Sequence, residues 1–330
     1  MILTVTPNPA WDVTYELPTL VTGEVHRVTS VHRRLGGKGV NVARVLATTG
    51  HAAVAVLPGP EGLAAEAGLD VPSRWPGRET SPAAAGTGPL LVCDVVPGLP
   101  IIRQTLVVHG GDGTTTSLWE PGVRPDPGAE QALARRVGGW LRPDGATPAA
   151  TGIVISGSLP PGLDSRFHAG IAATALEAGV PAVVDTSGEA LAHAAAVPGV
   201  VLAPNASELA QLTGWDCRDP EKAATAARDL LADGPHAVVV TLGGDGMAAV
   251  TRNGTWRGRL SEPLAGNPTG AGDAAAAALI AGLATAAEWP EIIRDAVALS
   301  AAAVLSPVAG EVSPADFVRL RTHADVRKVA

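Results

Sequence analysis

A doubly wound α/β fold, with helices on both faces of a mostly parallel sheet and a small antiparallel β lid beside it, is the architecture this sequence predicts. Three observations predict it. Short apolar runs recur along the chain with helical stretches between them. Their apolarity is continuous, which suits parallel strands buried on both faces. A second set of segments alternates apolar and polar residues, which suits a half-exposed sheet.

In chain order, "ILTVT" (2–6), "AAVAVL" (52–57), "GIVISG" (152–157), "PAVVDT" (181–186), "VVLAPN" (200–205) and "HAVVVTLGG" (236–244) read as buried strands. Between them, "NVARVLATTG" (41–50), "SRFHAGIAATALEAG" (165–179), "ASELAQLTG" (206–214) and "EKAATAARDLLADG" (221–234) have helical period, and most close on glycine. Alternating strand and helix units imply a doubly wound sheet. "WDVTYEL" (11–17), "VHRVTSVHRR" (25–34), "IIRQTLVVH" (101–109) and "TTTSLWE" (114–120) are the alternating segments, read as antiparallel lid strands. Residues 58–100 differ: 8 prolines and 7 glycines occupy 43 positions. That is about a third, above the roughly 25–30% at which low complexity sets in. A poorly ordered excursion with a short helix near Leu63–Gly68 is expected there. No internal repeat is visible, and residues 1–330 read as a single domain.

Composition narrows the function. With 46% hydrophobic and 17% charged residues, the chain can bury a large core. Its net charge is −8, and the longest basic cluster is His32-Arg33-Arg34, so no nucleic-acid partner is expected. An anionic ligand must be caught by a few local cations. Cys93 and Cys217 form neither a metal spacing nor a disulfide framework and read as core or surface residues. The start lacks a basic region and a cleavage site, and the longest apolar run, Ala274–Ala287, is shorter than the roughly 18 residues of a membrane span. A cytoplasmic protein without a membrane partner is expected.

"NPTGAGDAAAAALIAGL" (267–283) holds one charge, Asp273, between a glycine turn and a strong helix former. The helix should begin at or near Asp273, leaving the amides of Gly270, Ala271 and Gly272 free as an anion site. Asp273 then has two readings: a helix cap, or a carboxylate that takes a proton from a hydroxyl attacking a phosphoryl group. "LGGKGVNVARVLATTG" (35–50) is a second glycine turn into a helix, matching neither the Walker A loop nor the dinucleotide pattern. There Lys38 and Asn41 share a face suited to a polyhydroxy or phosphate ligand, unless the lysine is simply solvated. "DTSGEAL" (185–191), "APNASEL" (203–209) and "VTLGGDGM" (240–247) each follow a buried strand. Each alone reads equally as an ordinary turn, but together they fall on the edge where open α/β sheets bind ligands.

These motifs carry a resemblance. "TPNPAWDVTYEL", "GGKGVNVAR", "SGSLPPG", "DTSGEAL", "PNASEL", "TLGGDG" and "NPTGAGD" occur in the order seen in PfkB-type carbohydrate kinases of the ribokinase-like superfamily. The branch resembled is that of 1-phosphofructokinase and tagatose-6-phosphate kinase, and the likeness covers nearly the whole chain except 58–100. It implies that Asp273 is the general base, with the amides of Gly270, Ala271 and Gly272 as its anion hole. It implies sugar contacts from Asp12, Gly37 and Asn41, and a grip by Lys38 and Arg103 on the phosphate the sugar already carries. Asn205 and Glu208 correspond to the residues that order ATP and Mg²⁺, Glu208 through water, and Thr241, Gly243 and Gly246 to the nucleotide loop. Thr105 and Ala203 stand where the family usually has Asn and Lys.

The activity implied is ATP-dependent phosphorylation of a ketohexose monophosphate, with fructose 1-phosphate as first choice. Tagatose 6-phosphate and fructose 6-phosphate are the alternatives, and a catalytically silent sugar-phosphate or nucleotide binder is the reading from another class. The lid sheet has two faces and only one can rest on the core, so a homodimer through the lid is expected.

Overall fold

The computed structural model describes residues 1–70, 90–142, 150–232, 234–262 and 264–329. The first apolar run forms β1 (Ile2–Val5), buried between two neighbouring strands. The chain then leaves the core for β2 (Ala10–Leu17) and β3 (Ser30–Gly36). It returns through α1 (Lys38–Thr48), β4 (Ala53–Gly59), the single turn α2 (Leu63–Glu66) and β5 (Leu91–Pro97). A second excursion makes β6 (Arg103–Gly110) and β7 (Thr115–Trp119), followed by α3 (Ala129–Leu141). Strand and helix then alternate: β8 (Gly152–Ser156), α4 (Phe167–Glu177), β9 (Ala182–Asp185), α5 (Gly188–Ala195), β10 (Val201–Leu202), α6 (Ala206–Thr213), α7 (Pro220–Leu231) and β11 (Ala237–Thr241). The last section holds β12 (Met247–Thr251), β13 (Gly254–Leu260), α8 (Ala271–Ala284), α9 (Trp289–Val304), α10 (Pro314–Arg321) and β14 (Ala324–Lys328).

The large sheet has 10 strands in the order β14-β13-β12-β11-β10-β9-β8-β1-β4-β5, parallel from β11 to β5 and antiparallel beyond. Successive strand residues enter different cores: Val154 packs with α1, α8 and α9, while Ile153 and Ile155 pack with α3 to α7. This double burial is why the strands are apolar throughout. The predicted fold class is therefore the observed one. Among the described residues no helix is long and apolar enough to cross a membrane, and Cys93 and Cys217 are both buried.

The lid differs from expectation in one pairing. Its order is β3-β2-β6-β7, and β2–β3 and β6–β7 are antiparallel, but the central β2–β6 pair is parallel. Both strands leave the same edge of the parallel sheet, one after β1 and one after β5, so they run outward in the same sense. The segment 25–34 contributes less than expected, since its strand begins only at Ser30.

The prediction for 58–100 needs a larger correction. The short helix is present as α2, but β5 is an ordered edge strand paired with β4 over its whole length. Composition averaged over 43 positions hid the run "LLVCDVV". Its buried Asp94 accepts hydrogen bonds from Trp140 Nε1 at 2.7 Å and from the Arg136 guanidinium, which anchors β5 to α3. Expectations for residues 71–89 lie outside the described residues.

One glycine brings the site together. A Cβ on Gly39 would strike Thr6 Oγ1 and lie 2.9 Å from the Val5 carbonyl oxygen. Without one, the first turn of α1 rests directly on the end of β1.

Candidate active site

The helix read from "NPTGAGD" is α8, which begins at Ala271, two residues earlier than Asp273. Gly270 precedes it with φ 88, a left-handed conformation that favours glycine. The anion loop is narrower than expected. The Ala271 amide donates to the Pro268 carbonyl at 3.2 Å, so of the expected amides only those of Gly270 and Gly272 keep no backbone partner among the described residues. Asp273 lies in the first turn of α8 but does not cap it: the cap position is Gly270, which has no side chain to bond the helix start.

Asp273 is only 6% exposed. Burial raises its pKa from 3.8 to about 7; Asp185 and Asp12 add to the rise, while Lys38 and a hydrogen bond from Asn41 oppose it. A carboxyl group of that kind exchanges its proton near neutral pH, which suits general-base work.

Around it the glycine turns and strand ends converge. Gly37, with φ 95, opens α1 and sets Lys38 and Asn41 on its first turn. Asn41 Nδ2 donates to Asp273 Oδ2 and to Asp12 Oδ2, each at 3.2 Å. Asp12, on β2, also accepts from Thr105 Oγ1 at 2.6 Å across the parallel β2–β6 register. The departure at Thr105 thus keeps a polar contact with the carboxylate beside it.

Lys38 Nζ donates to Asp185 Oδ1 at 2.8 Å, at the end of β9. Burial alone would lower this ammonium, yet Asp185, Glu208 and Asp273 reverse the effect and raise its pKa. The side chain as a whole stays 38% exposed.

The third group lies along the same edge. Asn205 caps α6 in a reciprocal box: its Oδ1 accepts from the Glu208 amide, and Glu208 accepts from the Asn205 amide, both at 2.9 Å. Burial raises the Glu208 pKa, against the pull of Lys38. Asn205 bridges to Thr241, the last residue of β11, and the Thr241 amide donates to the Pro204 carbonyl at 3.1 Å. Gly243 starts a 3-10 turn with φ 59, and Gly246 closes it with φ 81. A Cβ on Gly246 would strike the Gly258 carbonyl, so this loop lies flush on β13. Asp12, Asp273, Asp185 and Glu208 are thus gathered around Asn41 and Lys38.

The family model described as "pfkB family carbohydrate kinase" matches residues 143–316, more than half of the chain. The chain belongs to the pfkB family of carbohydrate kinases. It is 32% identical to the 1-phosphofructokinase of Xanthomonas campestris pv. campestris, covering 94% of this chain and 93% of that one. It is 30% identical to the ATP-dependent 6-phosphofructokinase isozyme 2 of Mycobacterium tuberculosis, covering 93% and 84%. Among solved structures, phosphofructokinase-2 from Escherichia coli in complex with substrates and products aligns with a TM-score of 0.80 and 27% identity, covering 97% and 98%.

In this pfkB-family chain Lys38 and Arg103 have different charged neighbours. Lys38 faces Asp185, Glu208 and Asp273, whereas Arg103 faces Asp12 and Glu120 and donates through Nη1 to the Glu120 carbonyl at 2.8 Å. Sequence reading also passed over Arg34 and Arg44. Burial lowers the pKa of both, and each feels the charge of Asp12. Arg34, opposite Asp12 on β3, is tied to Glu311 at 2.6 Å. The run His32-Arg33-Arg34 was the available signal: its two arginines diverge, Arg33 lying over the Trp11 ring and Arg34 turning inward.

Proposed function

We propose that this chain is a cytoplasmic, ATP-dependent kinase that phosphorylates a ketohexose monophosphate, with fructose 1-phosphate converted to fructose 1,6-bisphosphate as first choice. The observation that carries the proposal is the buried Asp273, poised near pH 7 at a glycine-rich helix start and joined through Asn41 to Asp12. In this reading Asp273 takes the proton from the free terminal hydroxyl of the sugar. Asp12 and the backbone at Gly37 hold sugar hydroxyls, and Arg103 holds the phosphate the sugar already carries. Gly270, Ala271 and Gly272 form the turn that receives the transferred phosphoryl group. Asn205, Thr241, Gly243 and Gly246 line the nucleotide side. Positioning and charge stabilisation carry most of the catalysis in such a transfer.

Mg²⁺ fits this donor set. Glu208 would hold it through water, and Asp185 offers Oδ2, a buried oxygen with no donor among the described residues. When bound, the ion neutralises phosphate charge. The likeness to a 6-phosphofructokinase supports fructose 6-phosphate as the second substrate reading. An ADP-release assay over fructose 1-phosphate, fructose 6-phosphate, tagatose 6-phosphate and the free sugars tests both. Turnover on free sugars alone removes the phosphosugar reading, and no turnover on any of them leaves a silent binder.

We also propose a homodimer formed through the lid, where Val31, Leu118 and Trp119 expose large apolar side chains. Light scattering at micromolar concentration should give twice the chain mass of 33.1 kDa. A monomer there defeats this assembly.

A further inference from the structure

Asn41 bridges the two carboxylates at the centre of the site. Its Nδ2 gives one hydrogen bond to each of two carboxylates, and the residue is only 4% exposed. Its Oδ1 is buried without a partner among the described residues. An amide has two donor hydrogens and an acceptor oxygen, and leaving the acceptor unmet is costly. Turning the amide over would be worse, because Oδ1 would then face Asp12 and Asp273.

Gly310, in the loop after α9, is packed against the same amide. A Cβ built on Gly310 would lie 2.7 Å from Asn41 Oδ1 and 2.8 Å from its Cβ, and φ at this glycine is 72. In turn, a Cβ on Gly270 would lie 2.8 Å from the Gly310 amide nitrogen. Helix α1, the loop after α9 and the turn before α8 thus meet with no room for a methyl group.

We infer that Asn41 is a positioning residue, whose amide fixes the spacing and orientation of Asp273 and Asp12, and that Gly310 keeps the amide turned toward them. The inference rests on Asp273 being the base proposed above. The charged groups facing Asp273 are Lys38 from α1, Asp185 at the end of β9 and Asp12 from β2. Burial and the two acids disfavour its ionised form, while Lys38 and the hydrogen bond from Asn41 favour it.

Two readouts test this on the full-length protein. Carboxyl ¹³C NMR, with the Asp273 signal assigned by its loss in Asp273→Asn, follows the ionisation of Asp273 without any substrate. In Asn41→Ala the midpoint should move up by about 1 pH unit, as expected on losing one hydrogen bond to a carboxylate. Gly310→Ala should move it the same way. In turnover, both variants should lose roughly 5-fold in kcat at pH 7, recover most of it by pH 9, and change KM for the phosphosugar less than about 3-fold. If Asn41→Ala does not fold, Asn41→Ser, too short to bridge two carboxylates, takes its place. An unmoved Asp273 midpoint overturns the inference. So does a rise in phosphosugar KM with an unchanged pH profile, which would make Asn41 an ordinary hydroxyl ligand. A wild-type protein inactive on every sugar would defeat the kinase proposal, while the NMR arm would still decide the role of Asn41.

Discussion

Asp273→Asn should fold, bind ATP and phosphosugar with nearly unchanged affinity, and turn over about 10² to 10⁴ times more slowly, the usual contribution of a general base. The substitution keeps an oxygen to accept from Asn41 and removes only the ability to take a proton. In the unaltered protein kcat should rise with pH through about 7, because burial holds Asp273 protonated below that point. The same burial carries a stability signature of defined sign. A carboxyl group raised from 3.8 to about 7 binds more protons folded than unfolded between those values. Wild-type stability should therefore fall as pH rises across that window, and Asp273→Asn should lack this fall. Denaturant melts at pH 5 and pH 8 measure the difference. Near-normal turnover in the folded variant would leave Asp273 a structural residue.

How much of this was legible depends on whether a contact leaves a local trace. Strands such as β8 and β9 were readable because Ile153, Val154 and Ile155 enter two different cores, which forces an unbroken apolar run. The turn before α8 was readable for a similar reason: glycine at position 270 answers a backbone requirement that stands in the sequence itself. By contrast β5 was missed, since seven ordered residues were averaged with many prolines and glycines around them. The parallel β2–β6 pairing follows from where both strands leave the core, which no alternation pattern encodes.

Contacts between distant segments left no trace at all. Arg34 and Glu311 are 277 positions apart, and Gly310 meets Asn41 through a loop without a motif. The case of Lys38 is instructive because its position was foreseen and its partners were not. Spacing put a cation on the first turn of α1, but only the register of β8 with β9 brings Asp185 to it. A residue type and an address were available from sequence; the electrostatic neighbourhood was not.

That neighbourhood gives Lys38 and Arg103 different jobs, so their alanine variants should fail differently. Arg103 faces Asp12 and Glu120, whereas Lys38 faces Asp185, Glu208 and Asp273. A guanidinium can grip two phosphate oxygens, each bond worth roughly 1.5–3 kcal/mol. Arg103→Ala should therefore raise KM for the phosphosugar about 10- to 150-fold, leave KM for ATP nearly unchanged, and barely affect any activity on the free sugar. Lys38 instead faces three carboxylates, those of Asp185, Glu208 and Asp273. Without it Asp185 keeps a buried charge with no cation, and Asp273 loses the charge that most favours its ionised form. Lys38→Ala should lower kcat by about 10² to 10³, the scale seen when an electrostatic stabiliser is removed. It should also move the acidic limb of the rate profile to higher pH. Stability should also fall, because the pair joins a half-buried Lys38 side chain to an Asp185 carboxylate that is only 5% exposed. Phosphosugar KM is the discriminating readout. If both variants raise it alike and Lys38→Ala leaves the pH limb in place, the two cations close together on the sugar phosphate, and the division of labour argued from Asp185 is wrong.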